Sequence, residues 1–169
     1  LALAQGLEAV WKAVEVPGGV CSDGSPYRFY VSPGDPKKVV IDFQGGGACW
    51  NAATCGPQSQ TYRKRVDVQE LLLAQGIYNR LSVANPFYGW THVFAPYCTG
   101  DLHVGRATVD YGGFKVHHQG ARNALAALEY VFRNHTNPEK VFVTGCSAGA
   151  YGAVFWADKV LSTYKNAKV

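Results

Sequence analysis

Gly145-Cys146-Ser147-Ala148-Gly149 sets a serine between two glycines, each two residues away. A serine that attacks a carbonyl needs its oxygen held out on a sharp turn, and glycines at those spacings let the flanking strand and helix approach closely. The neighbouring residues supply both elements. Val141, Phe142 and Val143 form a short apolar run of the kind that makes a buried strand, and Thr144 and Gly145 stop it. From Ala148 the sequence reads as a helix. Ala150, Ala153, Val154, Phe155, Trp156 and Ala157 leave it almost no polar face, so this helix is expected to be buried. Ser147 is the candidate nucleophile. Cys146 precedes the apex of the turn, so its side chain is expected to point into the core, which disfavours a thiol enzyme.

A second feature fits the same chemistry. Val39 to Phe43 is a buried apolar run that leads directly into Gly45-Gly46-Gly47. Consecutive glycines free backbone N–H groups to face a ligand oxygen, and a glycine-rich loop in this place supplies part of the oxyanion hole in α/β-hydrolases. A glycine run alone would equally suit a flexible hinge. Its position about 100 residues ahead of the serine motif, with each feature following its own strand, favours the chemical reading.

The proton acceptor is harder to find. In α/β-hydrolases the acid and then the histidine follow the serine in the chain. Here all five histidines, His92, His103, His117, His118 and His135, precede Ser147, and 22 residues follow it. Each reads by default as a surface or loop residue. His103 and His117 sit nearest to expected strand ends and are the weak candidates for a base.

The elements that must position these groups can be traced in order. Leu7 to Val16 could be a strand or a short helix, ended by Pro17-Gly18-Gly19. Tyr27, Phe29 and Val31 alternate with more polar residues and predict a strand, so an N-terminal antiparallel hairpin is expected. A helix is expected over 66–73, with Gly76 near its end. Strands are expected at 39–43, 92–95 and 141–144, and a helix at 118–133. Asp110 to Gly113 reads as a turn. Strands alternating with helices predict a parallel α/β sheet built by right-handed crossovers.

Composition narrows the field. The chain has 169 residues, 47% apolar and 17% charged, which suits one globular domain over 1–169. A net charge of +4 is mild, and Arg63-Lys64-Arg65 reads as a solvated surface, so nucleic acid is not expected as a partner. No apolar run is long enough to cross a membrane. Leu1 to Ala4 is apolar but lacks a basic flank, so no intact signal peptide is read there and a processed N-terminus is allowed. Five cysteines would suit two bridges and one buried thiol in a secreted, periplasmic or cell-surface protein. Cys49 and Cys55 could alternatively be half of a zinc site, but no second Cys/His pair has ligand spacing, so neither metal nor cofactor is expected. Asn134-His135-Thr136 is a glycosylation sequon, usable only in a eukaryotic secretory pathway.

Taken together, GVCSDGSPY, DFQGGGACWNAATC, PYCTGDLH, the YGG turn and GCSAGAYG resemble the pectin acetylesterase/Notum family of secreted serine carboxylesterases. The resemblance runs in register from about Val20 to about Val160. It implies an α/β-hydrolase-like fold, a mainly parallel sheet with flanking helices, truncated after the nucleophile helix and so incomplete at the C-terminal end. It implies Ser147 as nucleophile and the N–H groups of Gly46, Gly47 and Ala148 as oxyanion donors. It also implies disulfides Cys49–Cys55 and Cys21–Cys98. Notum-like members carry an aromatic residue where this chain has Gly47, which leans towards a small acyl group such as acetyl. The expected function is removal of acetyl groups from a polysaccharide such as pectin. The alternative is a non-catalytic hydrolase-fold subunit that binds a protein partner.

Overall fold

A computed structural model describes residues 10–169. Leu1 to Ala4 and the first residues of the Leu7–Val16 segment lie outside the described residues. Seven strands and four α-helices follow in the order β1 (Lys12–Val20), β2 (Pro26–Ser32), β3 (Asp35–Phe43), α1 (Ala52–Cys55), α2 (Gln69–Leu73), β4 (Trp90–Ala95), β5 (Ala107–Asp110), β6 (Lys115–His118), α3 (Gly120–Asn134), β7 (Lys140–Gly145) and α4 (Ala148–Thr163). A 3-10 turn, Gly76–Tyr78, lies between α2 and β4.

Five strands form one sheet in the order β1-β2-β4-β3-β7. β3 is central to the site and pairs in parallel with β4 on one side and β7 on the other. The register sets Phe43 opposite both Ala95 and Gly145, so the loops after β3, β4 and β7 leave the sheet side by side. β1 and β2 add the expected antiparallel hairpin, and β2 meets β4 antiparallel. β1 does not stop at Pro17. It runs to Val20 with a register shift between Glu15 and Val20, because Gly18 takes a positive φ of 69° and lets the strand bulge and resume pairing.

Alternation along the strands sends side chains to two cores. Val39, Ile41, Phe43, Val93 and Ala95 face α3 and α4, where Ala124, Leu128, Val131, Trp156 and Val160 meet them. Leu128 and Val131 are fully buried, each contributing about 1.5–3 kcal/mol. The opposite face buries Phe94 and Tyr30 under Trp11 and Leu71. α2 is shorter than the 66–73 expectation. Asp67 accepts from the Gln69 N–H at 3.0 Å, which turns the chain before the helix can start.

The expected burial of α4 holds for one side only. Ala148, Gly149, Gly152, Trp156 and Val160 fall on one stripe and pack on the sheet. Val154 and Phe155 are 78% and 56% exposed. A helix without a polar face has two apolar sides, and only one of them finds cover among the described residues. β7 is the outer strand on this side. Its first turn of pairing is met by Lys168, whose carbonyl accepts from the Val141 N–H at 2.9 Å.

Candidate active site

Ser147 sits between β7 and α4 with φ 55° and ψ −122°. Positive φ is unfavourable for a residue with a Cβ, by about 1–3 kcal/mol, and persists only where the surroundings enforce it. Here the enforcement is close backbone packing. A Cβ on Gly149 would lie 1.8 Å from the Phe43 carbonyl oxygen, and one on Gly145 would lie 2.2 Å from the Gly149 carbonyl oxygen. The two glycines flanking Ser147 are therefore the points at which β7, α4 and the end of β3 touch. The glycine loop closes the other side, since a Cβ on Gly45 would lie 2.3 Å from the Cys146 carbonyl oxygen and 3.2 Å from the Ser147 Cβ.

The loop after β3 is held from several directions. Gly46 accepts from the Arg63 N–H at 2.9 Å, Ala48 donates to the Thr61 carbonyl at 3.2 Å and Cys49 donates to the Gly100 carbonyl at 3.0 Å. Gly47 has φ 78°, and a Cβ there would lie 1.9 Å from the Thr61 carbonyl oxygen, so this path admits only glycine. Among the described residues, the N–H groups of Gly46, Gly47 and Ala148 meet no protein acceptor. Asn51 and Thr54 form a reciprocal cap at the start of α1, just after the loop.

Two disulfides brace this end of the sheet. Cys49 and Cys55 join the glycine loop to α1, with Cα atoms 5.0 Å apart. Cys21 and Cys98 join the β1–β2 turn to the loop after β4. His118 lies beside the Cys49–Cys55 bridge, with its Nε2 3.0 Å from the Tyr111 hydroxyl and its Nδ1 2.8 Å from the Thr99 carbonyl. Both sulfurs are bonded to each other, so they offer no thiolate to a metal.

Gln44 was not singled out by sequence, yet it is the hub behind the loop. Its amide Nε2 donates at 2.7 Å to both the Asp67 carbonyl and Glu70 Oε2, and its Oε1 accepts from the Tyr97 N–H at 2.9 Å. Its own carbonyl meets His103 Nε2 at 2.8 Å. A buried Gln just ahead of a glycine run was the available signal.

The candidate bases are occupied elsewhere. His103 is buried, donates to the Gln44 carbonyl and packs against Phe43 and Tyr97. Burial holds its pKa below the usual histidine value, so it stays neutral, and its bond to Gln44 offsets this only in part. His103 therefore braces the oxyanion loop. His117 binds the Thr108 hydroxyl through Nδ1 at 3.0 Å, on the β5–β6 hairpin. His92 is not at the surface but fully buried, with Nε2 3.2 Å from Asp42 Oδ2 and the Trp11 and Tyr78 rings over it. Burial lowers its pKa as well, against the opposing pull of Asp42. His135 contacts the Pro36 carbonyl. Each of the five histidines is thus bonded away from Ser147. Cys146 also departs from expectation. Its thiol is free and exposed, because the apolar surface beside the turn has no covering element among the described residues.

A serine raised on a strained strand-to-helix turn, packed against a glycine loop at the ends of parallel strands, defines an α/β-hydrolase fold. Crystal structures agree: the Wnt deacylase Notum from Drosophila superposes with a TM-score of 0.65 at 19% identity, covering 94% of this chain and 49% of that one. Residues 3–169 match the pectinacetylesterase family, and the chain belongs to it. Pectin acetylesterase 11 of Arabidopsis thaliana is 30% identical over 159 residues, 90% of this chain and 41% of its own length. The palmitoleoyl-protein carboxylesterase NOTUM of Schmidtea mediterranea is 26% identical over 155 residues, 86% of this chain and 29% of its own length. Both relatives are named as carboxylic ester hydrolases. The chain spans less than half the length of each.

Proposed function

We propose that the whole protein is a serine carboxylesterase that removes acetyl groups from a polysaccharide such as pectin. Ser147 is the nucleophile. Its Oγ attacks the ester carbonyl carbon, and its proton passes to a base. The carbonyl oxygen gains negative charge and is met by the N–H groups of Gly46, Gly47 and Ala148. Collapse of this intermediate releases the sugar hydroxyl and leaves an acetyl-serine, which water hydrolyses to acetate. The observation that carries the reading is the positive φ of Ser147 beside three amide N–H groups that meet no acceptor among the described residues. Because all five histidines are engaged elsewhere, we assign the base to residues outside 1–169, in the length that the relatives have beyond this chain. The glycine at position 47 supports a short acyl group, since no side chain projects there. Two disulfides support an oxidising compartment, and no described helix is long and apolar enough to cross a membrane.

The engaged histidines also favour a second reading, a non-catalytic chain that keeps the hydrolase architecture as a binding subunit. Hydrolysis of a small acetyl ester by the full-length natural protein separates the two. The esterase reading expects turnover, labelling by a serine-reactive phosphonate, and a loss of about 10⁴-fold or more in kcat for Ser147→Ala with the fold intact. Near-normal hydrolysis by Ser147→Ala overturns the assignment of the nucleophile. A wild-type protein that neither turns over nor labels establishes the second reading.

A further inference from the structure

The seven arginines of the sequence divide into two groups. Arg28, Arg63 and Arg65 are in ion pairs with Glu15, Glu70 and Asp23. Arg80 is buried and donates to the Ser32 hydroxyl and the Phe87 and Trp90 carbonyls. The remaining three, Arg106, Arg122 and Arg133, are exposed and have no ion-pair partner among the described residues. All three line one groove of about 490 Å³ between α3 and the outer strand β1. Its floor is apolar, from Pro17, Leu125 and Ala126, and among the described residues the one carboxylate lining it is Glu129.

The placing follows from helix geometry. Residues 122, 126, 129 and 133 fall three or four apart and so share one stripe of α3. From Gln119 to Arg133 the stripe runs about 21 Å at 1.5 Å per residue. Its upper end adjoins the loop after β4, which carries His103. The Gly120 N–H donates to Asp101 Oδ2 at 2.7 Å, the Ala121 N–H donates to the Gly105 carbonyl at 3.0 Å, and Arg106 follows directly. The groove lies at the β1 edge, the far side of the sheet from β7.

We propose that this groove is an accessory subsite that binds the carboxylates of an acidic polysaccharide, a polyuronate chain, and holds the chain beside the catalytic end of the sheet. This rests on the esterase reading above and goes beyond it by placing a second contact with the polymer on the β1 side of α3, away from Ser147. Guanidinium groups match carboxylates in a two-point fork, and apolar stems and floor suit the C–H faces of sugar rings. Nucleic acid fits less well, because among the described residues no aromatic side chain lines the groove to stack a base.

The test measures binding of the full-length natural protein to sodium polygalacturonate, to the same polymer fully methyl-esterified, and to dextran sulfate. Wild type is expected to bind polygalacturonate best, more weakly as salt is raised. The triple variant Arg106→Gln/Arg122→Gln/Arg133→Gln is expected to bind it about tenfold or more weakly, given about two- to fivefold for each exposed pair. Its hydrolysis of a small neutral acetyl ester and its melting temperature are expected to match wild type, while KM on acetylated polygalacturonate rises. Equal binding of the methyl-esterified polymer, unchanged binding by the variant, or tighter binding of dextran sulfate would each overturn the proposal. A protein that binds polygalacturonate through these arginines but hydrolyses no ester retains the subsite and loses the esterase reading. Hydrolysis without arginine-dependent binding does the reverse.

Discussion

His103→Gln isolates one consequence of burying a neutral imidazole behind the oxyanion loop. His103 and His92 are both held below the ordinary histidine pKa of 6.5, chiefly by burial. In the unfolded chain each takes a proton near pH 6.5, whereas in the folded chain each stays neutral to lower pH. The unfolded state therefore binds more protons below pH 6.5. The stability is fully present above that value and is lost as pH falls below it. One such group loses up to about 1.4 kcal/mol between about pH 7.5 and about pH 5.5, so the pair accounts for up to about 2.7 kcal/mol. Glutamine at 103 keeps an N–H donor for the Gln44 carbonyl but does not titrate. The variant starts less stable, since its side chain fills less of the space against Phe43 and Tyr97. Its loss on acidification is smaller than that of wild type, by up to about 1.4 kcal/mol. Urea unfolding of wild type and variant across this pH range measures the difference. Equal losses would show that His103 takes up its proton without unfolding, and the buried neutral brace would be wrong.

Two further substitutions probe the loop and the turn. Gly149→Ala is expected to destabilise the protein by about 3 kcal/mol or more, because the new methyl would meet the Phe43 carbonyl and both partners are backbone; a denaturant midpoint close to wild type would refute this. Cys49→Ser/Cys55→Ser removes a bridge closing a six-residue separation, worth about 2 kcal/mol in unfolded-state entropy. Its kcat on a small acetyl ester should also fall by about tenfold or more, since a loosened glycine loop misplaces oxyanion donors; an unchanged kcat would separate the bridge from the site.

What the sequence revealed and what it hid have physical causes. The turn at Ser147 was legible because close backbone approach leaves glycine as its residue, and Gly145 and Gly149 mark the two contacts directly. The strands at 39–43, 92–95 and 141–144 were legible as apolar runs, each lying within an observed strand. The β5–β6 hairpin was not, because Ala107–Asp110 buries no face and so carries no period-two pattern. The role of His103 was hidden for another reason. Its partners Gln44, Phe43 and Trp156 are 53 to 60 residues away, and nothing local distinguishes a brace from a base. Cys146 and the outer side of α4 failed on the same point, since residue type does not reveal which apolar surface the rest of a chain will cover. Asp67 sets the later start of α2. Its Asx turn was a readable signal that α2 starts later.

The Cys21–Cys98 bridge has one more effect. It spans 77 residues, among them the irregular stretch before β4, where Leu81 and Val83 stand out in solvent. A protease would cut there first. A single cut between Leu81 and Val83 leaves two polypeptides tied by sulfur, with β1, β2 and β3 on one and β4 and β7 on the other, still paired in the sheet. On a gel without thiol such a clipped protein migrates as one species, and only reduction reveals two fragments. Ser147 and the glycine loop would then belong to different polypeptides and remain neighbours.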